Sequence, residues 1–159
     1  MPTSSSRSAF AEDPGAHLPP AAGTRVFDDE RFHLSIEAFQ EEGFVENAAA
    51  MGEVFRVELA KLAEKHPSIG EVRGLGCFWG LELVKNRETR EPLVPYNATG
   101  EDAKPMGAVM KRALDRGLYL MTHWNVVMCC PPLTITRDEL DEALDALDDA
   151  LSVADEFVV

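Results

Sequence analysis

The residues best suited to chemistry lie in the last third of the chain. In Met121-Thr122-His123-Trp124-Asn125 a polar and aromatic turn separates two apolar runs. A protonated His123 could receive a substrate carboxylate, with Trp124 walling a pocket and Asn125 beside it. The same residues would also make an ordinary hairpin tip with an exposed histidine. Cys129 and Cys130 raise the question of a thiol nucleophile with His123 as its base. Nothing around them forms the sharp elbow that presents a nucleophile. Adjacent in a strand, their side chains point to opposite faces. Gly74, Gly76 and Gly80 suggest a phosphate loop, but the last glycine comes one residue late and lies inside a strand. No helix N-terminus follows to receive the phosphate. Cysteine and histidine spacing does not suit zinc. His66 sits at a helix end, where histidine can cap carbonyls. Glu88, Glu91, Glu101 and Asp102 read as solvated loop carboxylates. No catalytic residue and no metal ligand is assigned.

These residues need elements to position them. Residues 1–26 carry four serines, four prolines and little apolar periodicity, and read as a disordered lead-in. Residues 27–159 read as one domain. Phe32, Ile36 and Phe39 share a helix face, which Gly43 closes in a left-handed conformation. Phe44, Ala48, Met51, Phe55, Leu59 and Leu62 form the stripe of a second helix that stops at His66-Pro67. Strands are expected over 69–73 and 77–84, joined through Gly74 and Gly76 as a hairpin or a bulged strand. Residues 85–103 read as an exposed loop. Pro105 opens a helix with Met106, Met110 and Ala113 inside, and Gly117 stops it. Strands follow over 118–122 and 126–129. Thr136-Arg137-Asp138-Glu139 fits a capping box. Beyond it Leu140, Leu144, Leu147, Leu151 and Ala154 face inward, opposite an acidic and solvated face. This order predicts an α+β fold, a small, largely antiparallel sheet with packed helices.

Composition narrows the function classes. The 159 residues carry 15 Lys and Arg against 28 Asp and Glu, a formal net charge of -13. Such a surface disfavours nucleic acid and anionic membranes. The longest apolar runs fall well short of the roughly 20 residues that span a bilayer. Three cysteines without regular spacing suggest reduced thiols and a cytoplasmic protein.

Four segments carry a resemblance. Val72-Arg73-Gly74-Leu75-Gly76-Cys77-Phe78-Trp79-Gly80-Leu81-Glu82-Leu83-Val84 resembles the V-R-G-x-G-x-x-x-G-x-E-L segment of class III pyridoxal-phosphate aminotransferases. Pro131-Pro132-Leu133-Thr134-Ile135-Thr136 is similar to that family's P-P-L-x-I-T segment. Glu88-Thr89-Arg90-Glu91-Pro92 is similar to its R-x-T-R-E-P loop. Glu41-Glu42-Gly43-Phe44-Val45-Glu46-Asn47-Ala48 is similar to its E-E-G-x-x-E-N-A junction. The turn at 122–125 most resembles the branch that pairs ω-amino acids with pyruvate.

The resemblance implies the C-terminal small domain of a fold-type I enzyme that moves an amino group from an amine or amino acid to a keto acid. Pyridoxal phosphate is the family's cofactor, and the large domain supplies its Schiff-base lysine. None of Lys61, Lys65, Lys85, Lys104 and Lys111 stands in that context, so no covalent cofactor is expected on this chain by itself. Members often place a carboxylate-binding arginine in the turn before P-P-L, where this sequence offers His123. His123, Trp124 and Asn125 are thus the expected substrate-binding residues. The implied partner is a separate large-domain chain or a further copy, with Phe32, Phe39 and Phe44 as candidates for an apolar docking face. The other reading is a non-enzymatic binding domain derived from the same family.

Overall fold

A computed structural model describes residues 36–159. The lead-in over 1–26 and Phe32 lie outside the described residues. Residues 36–41 are helical. Glu42–Val159 form a compact unit that contains the sheet and its packed helices.

Helix α1, Phe44–Lys65, starts after Gly43, whose φ of 64° is the expected left-handed conformation. Phe55 and Leu59 are buried, and Ala48, Met51 and Leu62 pack against the same core. His66 leaves the helix in an extended conformation because Pro67 follows. Strands β1, Ile69–Leu75, and β2, Phe78–Asn86, form the expected hairpin, with Leu75 opposite Phe78 and an irregularity between Ile69 and Glu71. A two-residue strand β3, Glu91–Pro92, adds to the end of β2. Helix α2, Lys104–Asp115, leads to β4, Met121–His123, and β5, Val126–Cys129. The main sheet is antiparallel, in the order β1-β2-β5-β4. Helix α3, Arg137–Asp155, closes the unit with the expected capping box at Thr136 and Glu139.

The glycines have a packing explanation. A Cβ on Gly74 would run into the Trp79 ring, and one on Gly52 would sit 2.8 Å from the Gly76 Cα. Gly52 thus lets α1 touch the hairpin turn, where Gly76 has a φ of 55°. Two of the quoted segments also meet through Asn47. Its amide donates to the carbonyls of Leu133 (2.7 Å) and Ile135 (3.0 Å). The two prolines before Leu133 end the strand ladder, and Asn47 supplies donors that a neighbouring strand would otherwise provide.

Several expectations need correction. The inner face of α2 is Met106, Val109 and Ala113, a spacing of three and four. Met110 falls off that stripe, is 37% exposed, and its sulfur accepts from the Thr122 hydroxyl. The strand expected over 118–122 starts three residues later, because the Leu118 N–H still bonds Ala113 O in closing α2. Residues 85–103 are not simply an exposed loop. Leu93 and Val94 are buried, and the Arg87 guanidinium donates to the carbonyls of Ala63, His66 and Ile69. Arg87 therefore caps the end of α1, the role expected of His66. The His66 ring is instead buried, with Nδ1 2.7 Å from Asp155 and Nε2 2.6 Å from Asp148. The acidic face of α3 is partly engaged: Asp145 and Asp149 pair with Arg116, and Asp148 with Lys65.

Two of these carboxylates make acid stability predictable. Hydrogen bonds from the Thr136 N–H and hydroxyl hold Glu139 below its ordinary pKa. Burial pushes Asp148 up, but hydrogen bonds and charge from Lys65 and His66 outweigh it and leave it lowered. A carboxylate depressed in the fold stabilises above its unfolded value, about 4, and loses that contribution as pH falls through the folded value. The urea midpoint should therefore hold from neutrality to about pH 5 and drop below about pH 4. Glu139→Gln should flatten part of that drop. Equal acid limbs in the two proteins would remove Glu139 from the explanation.

Candidate functional site

The β4–β5 turn gathers the three expected residues but gives them different tasks. His123 pairs with Val126 at the end of the ladder, so Trp124 and Asn125 form a two-residue turn. Asn125 is pinned to β2: its amide donates to Leu83 O at 2.9 Å, and its carbonyl accepts from Leu83 N–H at 2.7 Å. That amide donor is committed to the backbone. Trp124 lies at φ 51°, a left-handed conformation unusual for a bulky residue.

Two further residues belong to this site and were not singled out in the sequence. Asn97 Oδ1 accepts the Trp124 indole N–H at 3.0 Å. The Tyr96 ring lies against the same indole with centroids 4.1 Å apart, and the His123 ring with centroids 3.9 Å apart. Trp124 is the middle of three contacting rings, so it offers less free face to a ligand than a pocket wall would. Pro95-Tyr96-Asn97 carries a turn signal, since asparagine tolerates the left-handed region, and Asn97 has a φ of 55°. No local pattern links it to Trp124.

The thiol arrangement fails on geometry. His123 is level with Val126, three residues along β5 from Cys129, about 10 Å at the rise of a strand. Cys129 is buried, and burial with the neighbouring Cys130 pushes its pKa up to about 12. It therefore stays a thiol, which is a poor nucleophile. Among the described residues no group of three His, Cys, Asp or Glu could hold a metal.

The five lysines do not fit a Schiff-base site either. Lys61 pairs with Glu58, Lys65 with Asp148, Lys104 with Glu101 and Lys111 with Asp115, all on the surface. Lys85 lies 3.8 Å from Glu91. Forming an imine needs an amine set in an enclosed pocket against the cofactor, and none of these is so placed.

The other end of the sheet is apolar. A cleft of about 430 Å³ lies between α3 and the β4–β5 pair, lined by Phe55, Leu120, Met128, Leu140 and Leu144. Beside it, Val45, Leu75, Phe78, Pro131 and Leu133 line a second groove. Leu75 is 86% and Phe78 61% exposed. The expected docking face included Phe39, which is exposed, and Phe44, which is half-buried; within Glu42–Val159 the exposed apolar side chains include Leu75 and Phe78 at the hairpin turn and Leu114 and Met121 elsewhere.

A family model described as Aminotransferase class-III matches residues 31–151. An adenosylmethionine-8-amino-7-oxononanoate aminotransferase of Methanocaldococcus jannaschii is 38% identical over 121 residues, 76% of this chain and 25% of that protein. A hypotaurine/taurine–pyruvate aminotransferase of Paracoccus denitrificans is 35% identical over 125 residues, 74% of this chain and 26% of that protein. A solved taurine:2-oxoglutarate aminotransferase from Bifidobacterium kashiwanohense, in complex with PLP and glutamate, superposes with a TM-score of 0.70 at 33% identity. The match covers 76% of this chain and 26% of that one. The chain thus spans about a quarter of the length of these relatives.

Proposed function

The chain belongs to the class-III aminotransferase family, and on that premise we propose that it is the small-domain part of a pyridoxal-phosphate-dependent aminotransferase. The assembled enzyme moves an amino group from an amine or amino acid to a keto acid such as pyruvate. This chain becomes active only when joined to a large domain that brings the Schiff-base lysine. The observation that supports this reading is the placement of Lys61, Lys65, Lys104 and Lys111 on the surface in close ion pairs, with Lys85 half-buried near Glu91. The exposed Leu75 and Phe78, which line one apolar groove with Val45 and Pro131, support a seat for the proposed large domain, since contiguous water-facing apolar patches mark interaction surfaces.

In the assembly His123 receives the substrate carboxylate, Trp124 shapes its surroundings, and Asn125 holds the turn on Leu83. Among the described residues no helix is long and apolar enough to cross a membrane. Three unpaired cysteines suit a cytoplasmic setting. The second reading, a binding domain without catalysis, draws on the same exposed apolar groove.

Complementation separates the two. The full chain is mixed with a large-domain polypeptide from a class-III aminotransferase, and amine-dependent conversion of pyruvate to alanine is measured with added cofactor. Activity should be absent from either part and present in the mixture. A stable complex with no transfer would establish the binding domain instead.

A further inference from the structure

We infer that Asn97 and Tyr96 are positioning residues for His123, acting through the indole of Trp124; the consequence for binding rests on the carboxylate reading of His123. The starting point is the backbone. Between His123 and Val126 the turn has a positive φ at its first position and not at its second, an arrangement that glycine normally takes. A tryptophan there is strained, and strain persists where the surroundings over-determine it.

The surroundings are on hand. Asn97 Oδ1 fixes the indole N–H, and the Tyr96 ring covers one side of the indole. The imidazole of His123 lies against the same indole. The frame beneath is common to both segments. Leu83 O accepts from the Leu93 N–H and from the Asn125 amide, so one residue of β2 anchors both the loop carrying Tyr96 and Asn97 and the turn carrying Trp124. Leu93 and Val94 are buried just before Tyr96, which keeps that loop from drifting. An exposed histidine at a hairpin tip would sample several rotamers. This one is held against a fixed ring, so an anion reaching it does not have to freeze the side chain.

The test uses ring resonances of the full chain by NMR. Asn97→Gly keeps the left-handed backbone and removes the acceptor. Asn97→Asp keeps both an acceptor and tolerance of that conformation. In Asn97→Gly the His123 ring protons should lose the shift imposed by the indole and move toward free-histidine values. In Asn97→Asp they should stay in place, with the sheet amides of Leu81 and Val127 unmoved in both. With the large-domain partner added, Asn97→Gly should raise KM for the keto acid about threefold, the scale of one unfrozen side chain, and leave kcat unchanged. Unmoved His123 resonances in Asn97→Gly overturn the inference, as do equal displacements in both variants. If the resonances behave as expected but His123→Ala leaves KM unchanged, positioning stands and the carboxylate reading falls.

Discussion

Replacing His66 with alanine should lower the unfolding free energy by about 3 kcal/mol, the upper end of what leaving buried hydrogen-bond partners unsatisfied costs. The side chain is 2% exposed, and each ring nitrogen faces a carboxylate oxygen. Each ring nitrogen lies within hydrogen-bond reach of the carboxylate it faces. Removing the ring leaves two carboxylates around a cavity and unties the end of α1 from the end of α3. The loss is not larger because both carboxylates keep other donors: Lys65 for Asp148 and the Ser68 N–H for Asp155. Both also reach water. Urea unfolding of the variant and the parent measures the difference. A loss under about 1 kcal/mol, ordinary for a surface substitution, would show that the ring contributes little.

The second large effect is steric. Gly52→Val should destabilise by about 3 kcal/mol, the upper part of the range for overpacking. The added Cβ would lie 2.8 Å from Gly76 Cα and 3.0 Å from Gly76 N. Both neighbours are backbone, and Gly76 is already committed to the left-handed conformation of the hairpin turn. No side chain can swing aside, so α1 must lift away from β1 and β2. Gly80→Ala is the control. Its Cβ would meet only Val126 Cγ1 at 3.6 Å, an ordinary contact, and its stability should change by less than about 1 kcal/mol. Equal losses at the two positions would refute the close-approach explanation.

These two positions show where sequence reasoning reaches and where it stops. The stripe of α1, the capping box of α3 and the β1–β2 hairpin were legible because each follows from a local period or a short motif. His66 was visible as a helix-end residue, but its partners lie 82 and 89 residues away. Arg87 took the capping task because its loop folds back over α1, and a lone arginine among loop charges carries no sign of that. Leu93 and Val94 are too short an apolar run to stand out. The spacing of Gly74, Gly76 and Gly80 argues against a phosphate loop, but the need for glycine at position 52 shows only where α1 meets the turn. In the candidate site the sequence marked 123–125. It did not separate Asn125, which holds the backbone, from His123, which does not, and it missed Tyr96 and Asn97 because their partner Trp124 lies far along the chain, 27 residues beyond Asn97.

On the proposed assignment this chain contributes the small domain of an aminotransferase and not the lysine that carries the cofactor. The most direct test of that assignment is to incubate the full chain with pyridoxal phosphate, reduce with borohydride, and map the labelled peptides. The predicted result is no visible aldimine band and sparse label spread over Lys61, Lys65, Lys85, Lys104 and Lys111. One lysine labelled stoichiometrically, with the aldimine band present before reduction, would contradict the assignment.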